Sequence, residues 1–166
     1  MIRNIKPYVL AVTLSVALLG GFTVESRAAA ELNVAPGMTL AGPGVAVHGF
    51  DTVAYFTAGK PMQGVAEHSI VHGGATYRFA SADNMKAFRA NPDKYVPAFG
   101  GYCAYGVAVG AKFDGDPRYW KIVDGKLYLN LNKKIQDTWL TDIPDYIDQA
   151  KRSWKKIKHS DPATLG

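Results

Sequence analysis

Two turns, each of two residues, constrain this chain more than any other feature. RYWKIV and KLYLNL flank Asp124-Gly125, and Asp-Gly between runs of β-formers is the strongest short-range signal for a hairpin. A second pair of such runs, in EHSIVHGGATYRFAS, flanks Gly73-Gly74, which suits a type I′ turn. The two-residue loop sets a register in which His72 faces Ala75, Ile70 faces Tyr77 and His68 faces Phe79. Those six side chains then share one apolar face, with Ser69, Val71, Thr76 and Arg78 on the other.

Helices are expected after and between these hairpins. Ser81 caps SADNMKAFRANPDKY, with Met85 and Phe88 three apart and a stop at Asn91-Pro92. NKKIQDTWL reads as a helical turn or two. Asp142 caps a helix from Ile143 to about Lys158, in which Ile143, Ile147, Ala150, Trp154 and Ile157 form one narrow stripe that lies on the domain. Upstream, HGFDTVAYFTAGKP starts with the alternation of a short strand and ends in a turn. The expected fold is a small α+β domain: two β-hairpins in an antiparallel sheet, a short helix after the first, and a C-terminal amphipathic helix. No internal repeat or low-complexity tract is visible.

The N-terminus bears on compartment. Arg3 and Lys6 precede a charge-free run from Pro7 to Val24, and Ala28 and Ala30 offer the small residues of a cleavage site. This is the layout of a secretory signal peptide over residues 1–30, the rival being an uncleaved anchor. The expected location is the periplasm or the exterior. Residues 31–47, rich in Ala, Gly and Pro, read as a linker or loosely docked arm, 48–158 as the domain and 159–166 as a tail. Without the leader the formal charge falls from +5 to +3, since Arg3, Lys6 and Arg27 leave with Glu25. So mild a charge gives no reason to expect nucleic acid as a partner. KRSWKKIKH (Lys151–His159) is a basic helix face whose ordinary role is solvation and whose other use is contact with a membrane surface.

The chain has a single cysteine, Cys103, in GGYCAYGVAVG. It cannot close an intrachain disulfide, and its chemistry depends on forming a thiolate. Gly100, Gly101 and Gly106 let backbone N–H groups approach it, and Tyr102 and Tyr105 stand beside it. The bland alternative is a small buried hydrophobe at a tight bend. His68 and His72 share a strand face but stand about 13 Å apart, too far to clasp one ion. His48 and Asp51, near the start of the domain, are better placed to converge with Cys103 from a distance. Asp114 and Asp116 lack the later ligands of a calcium loop and read as turn formers. No serine elbow, phosphate loop, dinucleotide fingerprint or paired-cysteine motif is present.

Several stretches in combination resemble the YHS domain family: FDTVAYF, EHS, TYRFAS, NPDKY and GGYCAYG, spread from about His48 to Trp154. Glu67-His68-Ser69 matches the tripeptide that gives the family its name. The resemblance implies metal binding, credited to these domains in copper-transporting ATPases and some oxygenase subunits. Their pattern has one cysteine in the leading segment and another just after the hairpin. This chain has neither, so that pair carries nothing over. GGYCAYG is similar to an exported bacterial subgroup, some members of which have selenocysteine at the place of Cys103. That likeness implies redox or soft-metal chemistry there.

Three functional expectations result. The first is a metal-binding module in which Cys103 ligates copper or zinc with one or more of His48, Asp51, His72 and Tyr105. The second is a thiol redox protein with Cys103 as the catalytic residue and an external thiol as its partner. The third is a binding module in which Cys103 is structural.

Overall fold

The first hairpin pairs β1 (Val65–His72) with β2 (Ala75–Phe79), and the second pairs β3 (Asp116–Val123) with β4 (Lys126–Asn130). This is a computed structural model that describes residues 31–34 and 44–165; the expected leader lies outside them. The hairpins form two separate two-stranded antiparallel sheets, each closed by its two-residue turn. Among the described residues no helix is long and apolar enough to cross a membrane.

Both hairpins carry a bulge at the same distance from the turn. In the first, Ser69 pairs with Arg78, but the next pair is Val65 with Phe79. Ala66, Glu67 and His68 therefore loop out, and His68 does not face Phe79. The Ser69 hydroxyl donates to Ala66 O at 2.6 Å and closes the bulge. In the second, Trp120 pairs with Leu129 and the next pair is Asp116 with Asn130. His72 with Ala75 and Ile70 with Tyr77 pair as expected.

Short helices fill the connections. Residues Ala54–Thr57 form helix α1, not the strand that the alternation of FDTVAYF suggests. The reason is local: Asp51 Oδ1 accepts the N–H groups of Val53 and Ala54 at 2.8 and 3.2 Å, turning the chain into a helical start. Helix α2 (Ala82–Ala90) is capped by Ser81, and α3 (Pro92–Tyr95) by Asn91. Helix α4 (Ala104–Ala108) begins at Cys103, α5 (Lys133–Leu140) at Asn132, and α6 (Ile143–Ile157) at Asp142.

The main core lies between the hairpins. Val53, Tyr55, Tyr77, Phe79, Phe88, Leu127 and Leu129 are buried there, joined by Ala46 and Val47 from the segment that the sequence groups with the arm. Val45 bridges to Thr76 at the edge of β2, which buries Thr76 on the hairpin's second face. Residues 31–34 are docked: Asn33 N–H donates to Gly100 O at 2.9 Å, and Val34 bridges to Ala46.

Helix α6 covers α4. Ile147 and Ala150 are buried on its inner face, and burying an isoleucine contributes about 2 kcal/mol. Trp154 packs on Phe99 and Tyr102, and Ser153 Oγ donates to Ala108 O at 3.2 Å. Beyond the helix, Lys112 Nζ donates to Lys158 O and Ser160 O, each at 2.8 Å. The charged face, Lys151, Arg152, Lys155 and Lys156, is exposed. His159 is tied to Glu31 at 2.6 Å.

Candidate functional site

His48 sits in a short 3-10 turn, Val47–Gly49, with φ 51° and ψ 24°. A non-glycine residue in this left-handed region costs on the order of 1–3 kcal/mol, and such residues concentrate at functional sites. The turn places His48 Nε2 2.9 Å from Asp114 Oδ1. Asn33 Nδ2 donates to the same oxygen at 2.7 Å. The pair lines a cavity of about 410 Å³ together with Phe50, Asp116, Pro117, Arg118 and Leu131. Asp116 is held by Arg118, whose Nε lies 3.0 Å from Oδ1 and whose terminal nitrogen reaches Oδ2 at 2.5 Å. These bonds to Arg118 keep the Asp116 carboxyl below its usual range, burial opposing them and the His48 charge adding a little. Asp114 and Asp116, which the sequence presents as turn formers, thus both line one cavity.

Cys103 lies next to this cavity but inside the protein. It is fully buried. Its N–H donates to Phe113 O at 2.9 Å, one residue before Asp114, and Leu131, whose N–H faces the sulfur, lines the cavity. Sγ accepts the Gly106 N–H at 3.4 Å and also faces the N–H of Tyr105. Asn130 Oδ1 accepts from the thiol at 3.7 Å and from the Tyr105 N–H at 3.4 Å. Burial pushes the thiol above its ordinary value, and the three N–H groups recover only part of that rise.

The other expected site residues are elsewhere. Asp51 is fully buried, and its second oxygen, Oδ2, accepts Ala80 N–H at 2.8 Å and Asn84 Nδ2 at 2.6 Å. His72 packs edge-on against Tyr77 and Phe88 in the first hairpin, with ring centroids 6.3 and 5.7 Å away. Tyr105 follows Cys103, but its ring stacks on Tyr146 at 5.3 Å. Only His48 reaches the cavity.

A sulfur-centred metal site does not fit this arrangement. Sγ faces backbone N–H groups and the Asn130 amide oxygen. Among the described residues no group of three or more His, Cys, Asp and Glu is placed to hold a metal. The imidazole–carboxylate pair at His48 and Asp114 offers two donors of a kind that zinc and copper(II) accept. The sequence shows Asp114 only as a turn former because its partner is 66 positions away; the left-handed turn that places His48 beside it has no sequence signature.

No curated protein and no solved structure shows a significant match to the chain. Residues 53–99 match the family model of the YHS domain, a stretch that takes in α1, the first hairpin, α2 and α3 and stops short of Cys103.

Proposed function

We propose that the protein is an exported metal-binding module that takes zinc or copper(II) at the cavity mouth through His48 and Asp114. The observation that carries this reading is the left-handed turn that brings His48 within 2.9 Å of Asp114 beside a cavity walled by a second carboxylate. The YHS match over residues 53–99 supports it, and the basic, then apolar, N-terminal segment supports export. Two side chains are fewer than a structural zinc centre uses, which suits an ion that is exchanged. Cys103 is not a ligand in this arrangement.

Calorimetric titration of the purified protein with zinc and with copper(II) tests the proposal. Wild type and Cys103→Ser should bind one ion, and His48→Ala and Asp114→Asn should lose it. Binding that disappears with Cys103 and survives without His48 would move the site to the sulfur. No binding by wild type would end the metal reading.

One observation favours thiol chemistry as a second reading: backbone N–H groups face Sγ, that of Gly106 at 3.4 Å, and offset part of the burial that disfavours its anion. The rate of alkylation against pH distinguishes it, because a catalytic thiol must react well below the pH at which an ordinary thiol ionises.

A further inference from the structure

The chain from Ala98 onward repeats the plan of the chain before it. Each part opens on a 3-10 turn with left-handed residues, His48 in one and Phe99 in the other. Asp51 then stands ahead of α1 and Cys103 ahead of α4. The N–H of each donates to a carbonyl beyond its helix, Met62 O at 2.8 Å and Phe113 O at 2.9 Å. The hairpins that follow share turn length and bulge position. Ser81 and Asn132 cap the next helices, and Asn91 and Asp142 the ones after, with φ/ψ of −153°/74° and −152°/73°. Tyr77 on Phe88 is matched by Tyr128 on Trp139. Few side chains are shared, so the duplication is invisible in the sequence and plain in the backbone.

In this correspondence Cys103 occupies the place of Asp51, donor for donor. Val53 and Ala54 N–H on Oδ1 become Tyr105 N–H, shared between sulfur and Asn130 Oδ1, and Gly106 N–H on sulfur, while Ala80 N–H on Oδ2 becomes Leu131 N–H. The fourth donor of the first unit is Asn84 Nδ2. Its counterpart is Ile135, which cannot donate. Asn130 supplies an amide instead, where the first unit has the apolar Phe79. Asn130 is fully buried; its Oδ1 faces Sγ and takes the Tyr105 N–H at 3.4 Å, while its Nδ2 has no hydrogen-bond partner, so a half-turn of the amide would present Nδ2 to an anion and free the Tyr105 N–H for it. A single sulfur uses fewer donors than this. A cysteine sulfinate, with two oxygens sharing one negative charge, matches a carboxylate and would use all four.

We propose that Cys103 is an oxidation site whose surroundings are shaped to hold the sulfinate as Asp51 is held, with Asn130 Nδ2 as the added donor. The oxidant class is a hydroperoxide. The thiolate sulfur attacks one peroxide oxygen, an S–O bond forms as the O–O bond breaks, and hydroxide leaves and takes up a proton. The sulfenate then repeats the step with a second peroxide. With hydrogen peroxide the balance is RS⁻ + 2 H₂O₂ → RSO₂⁻ + 2 H₂O, sulfur losing two electrons to each peroxide. This site does not depend on metal binding at His48.

Treating the protein with hydrogen peroxide and analysing the Cys103 peptide by mass spectrometry is one arm of the test. The expected product carries two added oxygens, resists dithiothreitol and comes from protein that remains folded. Product that runs on to three oxygens in folded protein, or a thiol left unmodified while exposed thiol standards oxidise, would overturn the proposal. The other arm needs no reactivity. Cys103→Asp should melt no lower than Cys103→Ser, and Asn130→Leu should lower the melting temperature more in the Cys103→Asp background than in wild type. If Cys103→Asp is the less stable of the two, or fails to fold where Cys103→Ser folds, the site is not a carboxylate-like cradle.

Discussion

Replacing Asp51 with alanine is the sharpest test of what holds the first hairpin to its helices. Its carboxylate accepts four hydrogen bonds: Val53 N–H, Ala54 N–H, Ala80 N–H and Asn84 Nδ2, at 2.8, 3.2, 2.8 and 2.6 Å. One side chain thereby ties the start of α1 to the end of β2 and to α2. A hydrogen bond to a charged group contributes about 1.5–3 kcal/mol, and four around one carboxylate are not additive. Removing the acceptor from a fully buried position leaves the backbone donors unpaired, so the expected loss is about 4 kcal/mol. For a domain of this size that corresponds to roughly 15 °C in melting temperature. Asp51→Asn keeps one acceptor oxygen but turns an NH₂ toward donors, and should lose about half as much. Urea denaturation followed by circular dichroism measures both. A loss below about 1 kcal/mol for Asp51→Ala would refute the idea that this carboxylate joins the elements, since even one hydrogen bond to a charged group contributes about 1.5–3 kcal/mol.

Three further outcomes are expected. Burial pushes the Tyr77 phenol from 10.0 up to about 12; unfolding at intermediate pH therefore releases a proton, and stability falls as pH rises through that interval. Urea melts at successive pH values should show this fall, and Tyr77→Phe should make it shallower. Gly115→Ala should cost about 3 kcal/mol, because a Cβ there would collide with the backbone oxygen of Gly101, whereas Gly110→Ala, left-handed but in open space, should cost about 1 kcal/mol. His48→Gly removes the left-handed strain of about 1 kcal/mol along with an exposed ion pair of similar worth. Thermal melts should place it near wild type while the zinc titration goes flat.

The elements that sequence reasoning placed well are those with a local cause. Gly73-Gly74 and Asp124-Gly125 close their hairpins because few other dipeptides take up such turns, and Ser81 and Asp142 start their helices by accepting an N–H three residues on. The misreadings share a different origin. FDTVAYF alternates like a strand, but Asp51 bends it into α1 with help from Ala80 and Asn84, far along the chain. His68 was expected opposite Phe79, yet the bulge takes it out of the pairing, and nothing in EHS announces a bulge. For the site, GGYCAYG draws attention to Cys103 as the single cysteine, but its buried surroundings come from Asn130 and Leu131 on and just after a distant strand. The cavity was missed because it needs His48 and Asp114 together, and only the folded backbone brings them there.

The cover that α6 makes over α4 also has a consequence in time. Val107 and Ala108, just after the cysteine, share a buried cluster with Ala150, and Lys112 is anchored to carbonyls as late as Ser160. A chain made from its N-terminus can pair β1 with β2 while its remainder is still being synthesised. Helix α4 gains this cover only once the chain has been made as far as Ser160. Every newly made molecule therefore passes through an interval in which the first hairpin can be formed and α4 lies uncovered.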